Sequence, residues 1–408
     1  MMKFGLFSVL IFISLLFSTC NRSTGLRSVD REDLFSLEIG RLEDQIALFN
    51  LEGTMGIRRS SIAMRDGLFY ISDGNGGKIL RYNSYGDLLF MIYNEETNPS
   101  PLSLRPFTEG SLVTRWSISH PLLEPGEIAV DSRNHIYVRD SLPYEQHRFD
   151  TESSALLNNT VLHFDSDGRF INSLGREGMG GSPFSRIEGI YTSIRDELVV
   201  VCRLPTGWEI YWYSQDGVFL FVVRLRSDAL PIPPDRDDVF SSLDRISVGP
   251  DSHTLFIKID YYRNTFDEST DTRTGIEPDG SVIWLMNAED GLFERYIEVP
   301  FFEYTHEEQN RSTISRMLYS MLGVIRGGRI FLYVPLDGGY SILIMSSESN
   351  LSSEQHRGFI SVDNDELLFN TFDLSDDGIL SGLLANEWQV KLAWWRTDRF
   401  IGEFFHER

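Results

Sequence analysis

Two cysteines, eight histidines and a scatter of carboxylates and guanidines are the groups in this 408-residue chain that could do chemistry. Cys20 closes an apolar run, "LLFSTCNR", where a thiol could take a disulfide partner, a core place or a covalent modification. Cys202 lies in "DELVVVCRL", an apolar strand-like stretch in which a single cysteine behaves as a small hydrophobe. There is no Gly-x-Ser-x-Gly elbow for a serine nucleophile. No His-Glu-x-x-His or paired-cysteine spacing points to zinc. His120, His135, His147 and His163 are scattered among strand-like and turn-like segments and form no ligand pattern. The loops "DSDG" (Asp165 to Gly168) and "DGNGG" (Asp73 to Gly77) and the run Asp267 to Asp271 offer oxygens, but none has the twelve-residue calcium spacing with a closing Glu. "DSDG" and "DGNGG" read as hairpin turns that need positive φ. "GREGMGG" is followed by no helix and is not a dinucleotide loop. No catalytic residue, metal or cofactor is expected.

The elements that must position these groups are strands. Short runs of Val, Ile, Leu, Phe, Tyr and Trp alternate or cluster over a few residues, separated by Asp-Gly, Asn-Gly and Gly-Gly turns. Residues 33 to 50, "DLFSLEIGRLEDQIALFN", are the best helical candidate, and even they could hold a strand. The runs recur as similar units. Apolar second strands "LFYIS", "IYVRD", "LVVVC", "LFIKI" and "IFLYV" are followed by "KILRYN", "TVLHFD", "EIYWYS", "SVIWLM" and "YSILIM". Tight turns at Gly86, Gly168, Gly217 and Gly291 lead to a fourth strand. Four antiparallel strands per unit, repeated about six times, is the arithmetic of an all-β propeller. Each such sheet is apolar on both faces and needs a neighbour on each side.

Two long insertions interrupt the period, 94 to 124 and 263 to 279, with a shorter one at 143 to 158. Loops of this length are functional or disordered. The first, carrying Phe107, Trp116 and four prolines, is expected to fold back onto one face; the acidic second reads as a solvated hairpin.

The N-terminal end reads as an export signal: Lys3, then an apolar stretch from Leu6 to Phe17, then the small residues Ser18 and Thr19 before Cys20. The run is shorter than the roughly 20 residues of a membrane-spanning helix. It resembles a bacterial lipoprotein signal, although Phe17 and Thr19 depart from its commonest box; relaxed boxes occur in some bacterial groups, spirochaetes among them. The resemblance implies cleavage after residue 19 and a lipid on Cys20, leaving Cys202 without a disulfide partner in the chain. Asn21, in place of Asp, favours the outer membrane, facing the periplasm or the surface. The formal net charge of −23 argues against nucleic acid and anionic lipid surfaces as partners.

The unit "GEIAVDSRNHIYVRD…TVLHFDSDGRFINSLG", followed by "REGMGGSPFSRIEGI", resembles the NHL-type repeat of six-bladed propellers. The match is close over 125 to 190 and loose elsewhere. It implies six blades of four antiparallel strands over 59–408, after a signal peptide at 1–19 and an anchor linker and N-terminal segment at 20–58. In such a fold the innermost strands line a central tunnel, and the residues just before them face one mouth. Arg59, Glu127, Glu188, Arg245 and Arg316 are placed there, as a ring that could bind a polar ligand or cation or be a set of structural ion pairs. Trp208, Trp212, Trp394 and Trp395 could make a binding face or an inter-blade core. The expected function is non-enzymatic: a membrane-anchored scaffold that binds a protein or another envelope component through its loops. The alternative is a cation-dependent hydrolase or lyase with its site in the channel.

Overall fold

The structure, a computed structural model, describes residues 26–48, 60–110, 113–267, 269–308, 311–348 and 355–405. Cys20 and the expected signal lie outside them. The described residues form six sheets of four or more strands and two separate two-stranded hairpins. The first sheet runs Ser61–Arg65, Leu68–Asp73, Lys78–Asn83 and Leu88–Tyr93, each strand antiparallel to the one before. The second, third, fourth and fifth begin with the inner strands Ile128–Val130, Arg186–Thr192, Phe240–Val248 and Ser320–Ile325 and repeat the same up-and-down order. The turns obey the sequence: Gly86, Gly168, Gly217 and Gly291 have φ of 84, 84, 76 and 70°, which a side chain would strain.

Every pair of neighbouring sheets shares an apolar core. Ile62, Leu383 and Leu392 pack the sixth sheet against the first, and Trp212, Ile257 and Trp284 pack the third against the fourth. Trp208, Trp212 and Trp395 are buried, and Trp394 is half-buried, so these rings serve mainly as inter-sheet core. The fold is a β-propeller.

Five sheets are blades of four consecutive strands, where six such units were expected. The sixth is composite. Phe369–Leu374, Leu380–Ala385 and Gln389–Trp395 supply three strands, and the chain then leaves as a short helix, Thr397–Phe405. The open edge is filled by Arg31–Ile39 from the other end of the chain, antiparallel from Arg31 opposite Trp395 to Glu38 opposite Gln389. Of the stretch 33–50 read as a helix candidate, the part through Ile39 is therefore a strand of the propeller, and Gln45–Ile46 pairs parallel with it; residues 49 and 50 lie outside the described residues. Just ahead of it, Arg27–Ser28 pairs parallel with the outer strand of the fifth sheet, His356–Ser361.

The insertions all sit at one end. In an up-and-down sheet the connections after the first and third strands lie at one end, and those after the second and fourth at the other. The first set are mostly tight turns. The second set hold residues 94 to 124, whose Trp116–Ser119 pairs parallel with Leu88–Tyr93, and the small hairpin of Arg148–Asp150 with Ala155–Leu157. They also hold the long ribbon made by Thr254–Phe266 and Arg273–Asn287. A further hairpin, Phe302–Glu308 with Arg311–Met317, leads into the fifth sheet and was not foreseen.

Candidate functional site: the central cavity

The inner strands of all six sheets line one cavity of about 320 Å³ on the ring axis. Its two ends differ in how their charges are held.

At the tight-turn end the inner strands converge and their charges pair. Arg65 Nη1 is 3.6 Å from Asp376 Oδ2, Arg326 Nη2 is 3.5 Å from the same oxygen, and Arg326 Nη1 is 3.5 Å from Asp377 Oδ1. Arg65 also donates to the Val130 carbonyl at 3.1 Å, and Thr192 Oγ1 donates to the same carbonyl at 3.1 Å, tying three sheets together. Burial pushes the Asp376 carboxyl up, and Arg65 and Arg326 only partly offset it.

At the insertion end the strands are irregular. The register shifts by one residue at Glu188, Asp244 and Leu322 in the third, fourth and fifth inner strands. Bulges of this kind re-aim side chains, and Glu188 and Leu322 line the cavity. Three of the residues expected at the mouth, Glu127, Glu188 and Arg245, line this cavity. They do not pair with one another. Glu127 Oε2 accepts from Arg139 Nε at 3.1 Å within its own sheet, and Glu188 Oε2 accepts from Trp208 Nε1 at 3.2 Å. Arg245 Nη1 donates to the Met321 carbonyl at 3.4 Å and its side chain is also hydrogen-bonded to Tyr191; among the described residues it forms no ion pair. Its neighbour Asp244 turns away, accepting from Met321 N–H at 2.9 Å and lying 3.3 Å from the buried Lys258 ammonium.

One expected residue is not brought to the cavity. Arg316 sits on the hairpin before the fifth sheet, exposed and paired with Glu303 at 3.0 Å. The unforeseen hairpin displaces the start of the fifth inner strand to Ser320, so the residue preceding that strand is not Arg316. Arg59 lies outside the described residues.

Asp373 is the residue that inspection of strand starts missed. It lies in the sixth inner strand, and its Oδ2 accepts from the Met64 N–H of the first sheet at 2.9 Å. Burial pushes its carboxyl up to about 7; the Met64 N–H and Arg245 oppose the rise and the Asp376 charge adds to it. The side chain lines the cavity. The signal for this group was present in "RDG", "RGG" and "SDDG", where inner strands end in charged turns.

The remaining polar groups are structural. His135 Nδ1 lies 3.1 Å from His163 Nε2, and burial pushes His163 down to about 4. His253 bridges two sheets, 2.8 Å from Glu197 and 2.6 Å from Glu289. Cys202 is fully buried, and burial raises its thiol. Among the described residues no three His, Cys, Asp or Glu side chains are gathered to hold a metal ion, and no helix is long and apolar enough to cross a membrane.

Solved structures that resemble this one are propellers. The WD40 domain of Neurospora crassa Pan2 is 11% identical, over 91% of this chain and 97% of that one, with a TM-score of 0.41. The WD40 domain of Toxoplasma gondii coronin is 8% identical, over 91% and 87%, with a TM-score of 0.39. The β-propeller domain of the Trilobed protease from Pyrococcus furiosus is 9% identical, over 83% of each chain, with a TM-score of 0.34. No protein-family model matches the sequence, and no curated protein matches it.

Proposed function

We propose that this propeller is a lipid-anchored, non-enzymatic binding protein of a bacterial envelope, docking a protein or another envelope component on its insertion-bearing end. The observation that carries the reading is the concentration of 94 to 124, the 143 to 158 hairpin, the fourth-sheet ribbon and the 302 to 317 hairpin at that single end. A rigid disc with long loops on one face is a scaffold for recognition. The anchor would be Cys20, after removal of residues 1 to 19, and Asn21 favours the outer membrane. On this reading the composite sheet acts as a sixth blade, and the unit at 125 to 190 is NHL-like. With a net charge of −23 the partner is not nucleic acid.

The test is in-cell crosslinking, followed by purification and mass spectrometry of what is captured, alongside a Cys20→Ala chain and a chain whose 263 to 279 ribbon is shortened to a two-residue turn. A reproducible partner lost from both variants supports the reading. A protein recovered alone, lipidated or not, defeats it.

A further inference from the structure

We infer that the central cavity binds a small zwitterion, whose carboxylate pairs with Arg245 and whose ammonium is taken by Glu188, towards the insertion-bearing end, and Asp373, towards the tight turns. This goes beyond docking on the loops and does not depend on it.

The first ground is the contrast in pairing. A ring of charges that only fills a tunnel neutralises itself, as Arg65, Arg326, Asp376 and Asp377 do at the tight-turn end. Arg245 has the same opportunity, with Glu127 and Glu188 lining the same cavity, and does not take it. Glu127 is engaged by Arg139, Glu188 by an indole N–H and Asp373 by a backbone N–H. Each carboxylate is thus fixed in place by a donor, and among the described residues neither Glu188 nor Asp373 forms an ion pair. The Arg245 charge opposes the rise of the Asp373 carboxyl, and among the described residues no ion pair joins the two.

The second ground is the balance of charge. A guanidinium has five N–H donors, and with Tyr191 and the Met321 carbonyl as its hydrogen-bond partners Arg245 keeps donors for a ligand in the cavity. A simple anion there would meet the surrounding carboxylates, and a simple cation would meet Arg245. A molecule that carries both charges a few atoms apart meets neither repulsion. The third ground is size: about 320 Å³ is at the small end of ligand sites. That suits an amino acid or a similar ammonium carboxylate.

The experiment is titration calorimetry on the purified full chain with glycine, L-glutamate and L-lysine, with acetate, ethylammonium and calcium chloride as single-charge probes. The expected result is a Kd below about 1 mM for at least one zwitterion, with acetate and ethylammonium at least about tenfold weaker. Arg245→Ala should weaken the zwitterion at least about tenfold while the circular dichroism is unchanged, and Arg245→Lys should restore part of the loss. If Arg245→Ala does not fold, Glu188→Gln carries the test, with the same direction of loss. The inference is overturned if no zwitterion binds below about 1 mM, if a single-charge probe binds as tightly, or if the folded variant binds unchanged. Calcium binding without zwitterion binding also overturns it and makes the cavity a cation site.

Discussion

The two ends of the channel are made from the same inner strands, yet one is locked and the other is open. At the tight-turn end each guanidinium has a carboxylate and a carbonyl or turn to hold, and short connections keep the six strand ends together. At the insertion end three register shifts splay the strands, and long connections enter from outside. The difference teaches where rigidity and recognition are divided in this ring. Pairs at the locked end hold sheets to sheets, while at the open end Glu127 is held by Arg139 of its own sheet and Glu188 by an indole N–H, and both face the cavity.

The comparison can be broken by substitution, beginning where the effect should be largest. Arg65→Ala removes an ion pair and a carbonyl contact between the first and second sheets and leaves Asp376 with Arg326 alone. The expected loss is about 1–2 kcal/mol in urea unfolding, and an unchanged midpoint would show that the locked end is not locked.

Asp373→Asn should act next, and in the opposite direction. Its carboxyl is pushed up to about 7 in the fold, above the unfolded range near 4, so the folded state holds the proton more tightly. That contribution is fully present below about pH 4 and is lost as pH rises towards 7. The Asn variant keeps an acceptor for Met64 N–H and escapes the loss, with Asp376 and Arg245 still facing the site. Thermal melts should therefore show it gaining on the wild type between pH 5 and 8, by about the same amount at every pH above 8. A difference independent of pH across pH 4 to 8 would assign the effect to packing instead.

Arg245→Ala should cost less than Arg65→Ala, under about 1 kcal/mol, because no ion pair is broken. If its unfolding midpoint falls as far as that of Arg65→Ala, the open end is structural after all. Glu188→Gln should be smallest, within about 0.5 kcal/mol, since the amide oxygen can still accept from Trp208 Nε1. A larger loss in melts would place the charge itself in the fold.

Much of the fold was legible because a strand with both faces buried leaves a strong apolar run, and the Gly turns need positive φ whatever surrounds them. "LVVVC" and "EIYWY" are the buried second and third strands of the third sheet. The closing strand was not legible for a local reason. The register of Arg31–Ile39 shifts between Asp33 and Phe35, which breaks the period-two alternation and leaves spacing that also fits a helix. The cavity residues divide the same way. Glu127 stands just before its inner strand as expected, whereas Glu188 and Arg245 lie within theirs and still line the cavity. Arg316 misled because a hairpin intervenes. Asp373 and Arg65 escaped because charge at a strand's end reads as an ordinary turn, and only closure of the ring turns those ends inward.

The composite sheet has a consequence for how the molecule is made. Glu32 and Trp394 are 362 positions apart in the chain and hydrogen-bonded in the fold. Synthesis delivers the closing strand first and its partner last, so Arg31–Ile39 waits without a mate while five sheets assemble between them. Ring closure then requires that the chain has been made at least as far as Trp395. A nascent chain that stops early leaves a bare strand edge at both termini, and a cell that degrades exposed edges would need no other mark to recognise the fragment.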